Sequence, residues 1–155
     1  MTLREEMIEE WKREGKPKMP TELDMQEKLV EAVKKVEGGY GFKLSNKFLA
    51  GIPDLFLSTP SVGPVLLEVK MVEGPEQLVL LTPLQRHVII RLKAAGTAAG
   101  IVVIRPEEEF RRYTAYVTTD HDVVRVNKDM AKFVKAVGEP WPIEYMMMVV
   151  RQHVT

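Results

Sequence analysis

The sequence predicts an α/β fold, a mixed central sheet flanked by helices, and three observations carry that expectation. Two strand-like runs, residues 54–59 (DLFLST) and 65–70 (VLLEVK), flank Pro60-Ser61-Val62-Gly63-Pro64, which is turn chemistry, so the three segments read as a β-hairpin. A helix start at Thr82-Pro83-Leu84-Gln85 follows. Then comes a wholly apolar run at 99–104 (AGIVVI), as expected of a strand buried on both faces. Strand, helix and strand over that distance imply a right-handed parallel crossover. At 155 residues and 17.7 kDa, with 45% apolar and 28% charged residues, the chain has the size and composition of one domain with one core.

Taken in order, residues 2–14 read as a short amphipathic helix. Thr2 is the N-cap, Glu5 completes a capping box, and Leu3, Met7, Ile8 and Trp11 form one stripe. The stretch from Gly15 to Pro20 is a seam, which divides the chain into an N-terminal helical appendage (1–19), a core (20–105) and a C-terminal extension packed on the same domain (106–155). A second helix opens at Thr21, with Asp24 at its third position and Met25, Leu29, Val33 and Val36 inward, and runs to about Glu37 before Gly38-Gly39 stop it. Residues 40–44 read as a strand, followed by a loop through Ser45, Asn46 and Gly51. After the hairpin, the apolar run 78–81 is either a packed loop or part of a dimer surface. In the Thr82 helix the inward set is Leu84, Val88, Leu92 and Ala95, and Gly96 ends it. Helix, three strands, helix and strand is therefore the order over residues 21–104. Beyond Arg105 the expectations are a helical turn at 106–112, short strands at 113–118 and 123–126, a helix at 129–137 and a last strand at 143–150.

Composition excludes several classes of function. With no cysteine, disulfides, thiolate metal sites and cysteine nucleophiles are absent. No apolar run approaches the roughly 18–20 residues of a membrane helix, and the charged N-terminus lacks a signal-peptide core, so a cytoplasmic protein is expected. The 22 basic and 22 acidic residues balance, which argues against broad DNA affinity. Only residues 41–100 are net positive, with 6 basic against 4 acidic side chains.

Two acidic residues stand inside apolar strands: Asp54 heads the first hairpin strand and Glu68 lies within the second. A charge buried in a strand is costly unless it is paired or bound to metal. A turn centred on Ser61 sets Asp54 opposite Glu68, with Cβ atoms within ~5 Å, where like charges repel unless a cation lies between them. Mg²⁺ would relieve the repulsion, and Lys70, two residues past Glu68, shares its face of the strand.

Gly51-Ile52-Pro53-Asp54, a hairpin, then Glu68-Val69-Lys70 resembles the PD-(D/E)XK nuclease motif. With a glutamate, Glu27, in the preceding helix and the helix start at Gln85, the chain resembles the virus-type replication-repair (VRR-Nuc) nucleases over residues 21–104. The resemblance implies a restriction-endonuclease-like fold and a metal-dependent phosphodiesterase acting on DNA, often branched or flapped. Phage-type members imply a homodimer that cuts four-way junctions, in a bacterial or phage-infected cell. It further implies that Asp54, Glu68 and the Val69 carbonyl hold Mg²⁺, with Mn²⁺ able to substitute, and that Glu27 reaches in directly or through water. Lys70 would orient and help deprotonate the attacking water, and Gln85 would position Lys70 or the phosphate.

Lys43 and Lys47 are the first expected phosphate contacts, then Arg86, Arg91 and Lys93. Plainer readings stand beside these: Glu27 on a solvated helix face, Gln85 as a capping-box residue only, and the basic residues as surface charges. His87, His121 and His153 lack metal-ligand spacing. Within enzymes the alternative is a flap or end-processing nuclease; outside them, it is a catalytically silent DNA-binding or assembly module.

Overall fold

The computed structural model describes residues 2–15, 20–44, 50–72, 78–79, 81–107, 112–121, 124–125, 134–137 and 141–152. Among them four helices and eight strands follow in the order α1 (Leu3–Glu14), α2 (Glu22–Lys34), β1 (Tyr40–Lys43), β2 (Leu55–Thr59), β3 (Gly63–Met71), β4 (Leu78–Val79), α3 (Pro83–Ala94), β5 (Ala99–Glu107), β6 (Arg112–Thr118), β7 (Val124–Arg125), β8 (Val134–Val137) and α4 (Ile143–Gln152). No helix among these residues is long and apolar enough to cross a membrane.

The three expected N-caps form as the local chemistry dictates. Thr2, Thr21 and Thr82 each accept from the third helical residue, Glu5, Asp24 and Gln85, whose side chains reach back to the cap amide. Such reciprocal caps satisfy two otherwise orphaned donors per helix.

A six-stranded sheet runs in the order β1-β2-β3-β5-β6-β8, while β4 and β7 form a separate pair. Only β3 and β5 pair in parallel, joined across α3, and every other neighbouring pair is antiparallel. The β2–β3 register, Leu55 opposite Leu67 and Thr59 opposite Gly63, is the one expected from a turn centred on Ser61.

Alternation along the strands divides the sheet into two unequal faces. Leu55, Leu57, Val65, Leu67, Val69, Val102 and Ile104 turn towards α2 and α4 and build the main core with Met25, Leu29, Val33, Met146 and Met147. Each such side chain is worth roughly 1.5–3 kcal/mol when fully buried. On the opposite face a smaller cluster joins Ile101, Val103 and Tyr116 to Ile89 of α3 and to Val72.

Several expectations for the helices and the C-terminal third are corrected. In α3 the fully buried residue is Ile89, while Val88 and Leu92 are half-buried and Leu84 and Ala95 are exposed. The helix lies over β5, and its buried contact is a single position rather than the stripe through Leu84 and Ala95. Of the α1 stripe, Met7 is buried, Trp11 is half-buried, and Leu3 and Ile8 are exposed. No helical turn occupies residues 106 and 107, which continue β5, nor 112, which begins β6; 108–111 lie outside the described residues. The expected helix at 129–137 ends instead as strand β8, hydrogen-bonded along β6, and 129–133 are likewise not described. The expected last strand is helix α4: Ile143, Met146, Met147 and Val150 face the core while Tyr145 and Met148 face out. An apolar run of that kind carries no visible period, and methionine favours helix.

Candidate active site

The sheet brings together one end of β2, the middle of β3 and the first turn of α3. Asp54 occupies the bend before β2, held by its carbonyl, which accepts from Leu44 N–H at 2.8 Å. The β2–β3 ladder stops at Leu55 and Leu67. Beyond it the Val69 amide donates instead to the Asp54 carboxylate, Oδ2, at 2.8 Å. Val69 turns its side chain into the core, and its carbonyl lies on the edge of β3 to which its N–H points, towards Asp54.

Glu68 and Lys70 project to the other face of the strand. Glu68 is only 2% exposed, and its Oε2 has no hydrogen-bond partner. Its Oε1 accepts from Gln85 Nε2 at 3.0 Å and lies 3.6 Å from Lys70 Nζ. Gln85 Oε1 in turn accepts from the Thr82 amide at 3.0 Å and from Lys70 Nζ at 3.4 Å. Gln85 is thus both the capping-box residue and the link between the carboxylate and the ammonium. Burial first, and the neighbouring Asp54 charge second, push the Glu68 carboxyl up to about 8, against the opposing pull of Lys70.

Gly51 explains why the turn before Asp54 has this sequence. Its φ is +89°, and a Cβ there would lie 2.9 Å from the backbone carbon and oxygen of Leu84. Only glycine lets the turn lie against the first turn of α3, which sets Asp54 and Gln85 in one frame.

The other expected residues are placed as follows. Glu27 is on the surface of α2, paired with Lys43 at 3.2 Å, so the two form one exposed ion pair. Sequence reasoning missed Glu22, at the start of the same helix, whose Oε1 accepts from the Met71 amide on β3 at 3.4 Å. Its only signal was its position in the first turn. Lys93 Nζ is tied to the Thr119 carbonyl at 2.6 Å and lies 3.3 Å from His121 Nδ1. Arg86, His87 and Arg91 are exposed on α3. Lys47 and His153 lie outside the described residues.

The donor set fits a small hard cation. Two carboxylates approach one another, one has a buried oxygen without a partner, and oxygen ligands suit Mg²⁺. Among the described residues no group of three acidic, histidine or cysteine side chains converges.

Compared with known proteins, the sequence matches no family model. It also matches no curated protein. In fold the chain is similar to the solved structure of Hjc, a Holliday junction resolvase from the archaeal hyperthermophile Archaeoglobus fulgidus, with a TM-score of 0.50 and 13% identity over 81% of this chain and 96% of that one. The architecture is therefore restriction-endonuclease-like.

Proposed function

We propose that this chain is a divalent-metal-dependent, structure-selective DNA endonuclease of the virus-type replication-repair kind, acting as a homodimer on four-way junctions. The observation that carries the proposal is the buried Glu68 carboxylate with its unpartnered oxygen, flanked by Asp54 and Lys70. A carboxylate pair of that kind is costly in a structural role and serves a cation-assisted reaction well. The fold shared with a junction resolvase supports the same reading.

When bound, Mg²⁺ would supply charge stabilisation at the scissile phosphate and its leaving oxygen. Asp54, Glu68 and the Val69 carbonyl would hold it, and the Val69 N–H fixes the Asp54 carboxylate for that task. Lys70, 18% exposed on the same face, orients the attacking water and helps remove its proton. Gln85 holds Lys70 against Glu68. Lys43, which Glu27 holds in an exposed ion pair, and Arg86 and Arg91 on α3 would meet phosphate.

Two sites related by a two-fold axis match the symmetry of a junction cut in both strands. The test is cleavage of an end-labelled four-way junction, a 5′ flap, a single strand and a plain duplex with Mg²⁺ or Mn²⁺, beside sedimentation of the protein. Paired nicks at symmetric positions by a dimer are expected. Cleavage of flaps or ends alone would leave the metal site and remove the resolving role, and no cleavage at all would favour a silent binding module.

A further inference from the structure

Strand alternation puts a row of aromatic rings on the same sheet face as Glu68 and Lys70. Phe42 on β1 and Phe56 on β2 are register partners whose rings stack at 5.1 Å between centroids. Tyr40 meets Phe42 edge-on at 5.6 Å. Phe56 is opposite Leu66, two residues before Glu68 on β3, so the row starts roughly 7 Å from the buried carboxylate, given a strand rise of about 3.4 Å per residue. It then runs away from α3, which meets this face at Glu68 and Lys70 through Gln85 and at β5 and β6 through Ile89. Tyr40 is 61% exposed and Phe42 40%.

We propose that Tyr40, Phe42 and Phe56 form a stacking platform for unpaired nucleobases, continuous with the carboxylate site. The inference rests on the nuclease reading above and deepens it by naming what selects the substrate. An exposed aromatic face stacks a base of any kind, whereas the bases of a closed duplex already stack on one another and present only their edges. The row therefore favours DNA with opened or single-stranded bases beside the scissile phosphate. A second copy of the chain is a poorer occupant: the exposed ring area is on the order of 200 Å², against ~800 Å² buried per partner in a stable interface. The balanced net charge agrees, because affinity that rests on stacking requires less basic surface than affinity for duplex phosphates.

The full chain in EDTA is titrated into fluorescently labelled oligothymidylate and into a labelled plain duplex, comparing wild type with Tyr40→Ser, Tyr40→Trp and Phe42→Leu. The last keeps an apolar side chain but removes the ring. Wild type is expected to prefer the single strand. Tyr40→Ser and Phe42→Leu should each weaken single-strand binding about tenfold and leave duplex binding unchanged, and Tyr40→Trp should retain wild-type affinity. Equal loss on both probes, no loss, or no preference in the wild type would each overturn the platform. A dimer turned to monomer by these changes would overturn it in favour of a self-association face. Cleavage of junctions by wild type with single-strand binding indifferent to the rings sinks this inference alone. Ring-dependent binding without any Mg²⁺-dependent cleavage sinks the nuclease reading and leaves the platform.

Discussion

Strand β3 shows two faces of one sheet doing opposite things. Towards α2 and α4 it presents Val65, Leu67 and Val69, all fully buried in the main core. Towards α3 it presents Leu66, Glu68 and Lys70, where a carboxylate is as buried as its apolar neighbours yet lacks a partner for one oxygen. The first face holds the fold together by close packing. The second gives up some of that packing to hold a carboxyl out of water at a fixed place beside an ammonium. Changes on the two faces should therefore separate: one set alters stability alone, the other alters chemistry and pH dependence.

The largest expected effect on stability is on the closed face. Leu67→Ala should cost about 2–5 kcal/mol by cavity formation, read by denaturant unfolding, with the cleavage rate per folded molecule unchanged. If cleavage falls instead while the fold holds, the two faces are not separable.

On the open face the effect should depend on pH. The Glu68 carboxyl ordinarily titrates at 4.5 and in the fold at about 8, so the folded chain keeps a proton that the unfolded chain releases. In the absence of metal, the Glu68 contribution to stability should be full below pH 4.5, fall through that interval and be lost above about 8, a change on the order of a few kcal/mol. Glu68→Gln should flatten the profile and be the more stable protein at pH 8. Added Mg²⁺ should raise the melting temperature of the wild type more at pH 8 than at pH 5, and that of Glu68→Gln at neither.

Gly51→Ala sharpens the comparison at the junction of the two faces. It forces a side chain into the left-handed region and against the Leu84 backbone, a cost of about 1–3 kcal/mol. Cleavage should fall by more than stability alone explains, because Asp54 and Gln85 lose their common frame. A proportional fall would mean that the glycine only relieves strain. The smallest effect should come from Glu27→Gln. Its exposed pair with Lys43 is worth about 0.2–1 kcal/mol, so thermal unfolding should hardly move, and a large loss of cleavage would show that Glu27 leaves Lys43 to serve the metal.

What was legible in the sequence was written in short-range chemistry. The Pro60 to Pro64 turn fixed the β2–β3 register, which brings Asp54 to the strand that carries Glu68, and Thr82 with Gln85 fixed the start of α3, because turns and caps are decided by a few adjacent residues. The buried set of α3 was misread because its neighbour is β5, whose position only the tertiary fold determines. Residues 129–137 carry a helix-like spacing at Met130, Phe133, Val134 and Val137, yet β6 takes Val134–Val137 as a strand partner, and long-range pairing overrides local preference. The run 143–150 is too uniformly apolar to show a period. In the site, Asp54, Glu68 and Lys70 come together as the spacing suggested, and Gln85 joins them as the resemblance implied. Glu27 does not join them, since which carboxylate of a helix faces a sheet edge is set by rotation and docking that no local motif encodes. The aromatic row was missed for the same reason: Phe42 and Phe56 are far apart in sequence, and only the β1–β2 register makes them neighbours.

Lys70 tests most directly the proposal that the open face of β3 is a metal-dependent reaction centre. Wild type and Lys70→Ala should be compared on an end-labelled four-way junction in Mg²⁺, after checking that both melt alike. Symmetric nicks are expected from the wild type and a loss of at least about 10²-fold in the variant, with junction binding retained. Equal cleavage by the two proteins, or none by either in Mg²⁺ or Mn²⁺, would contradict it.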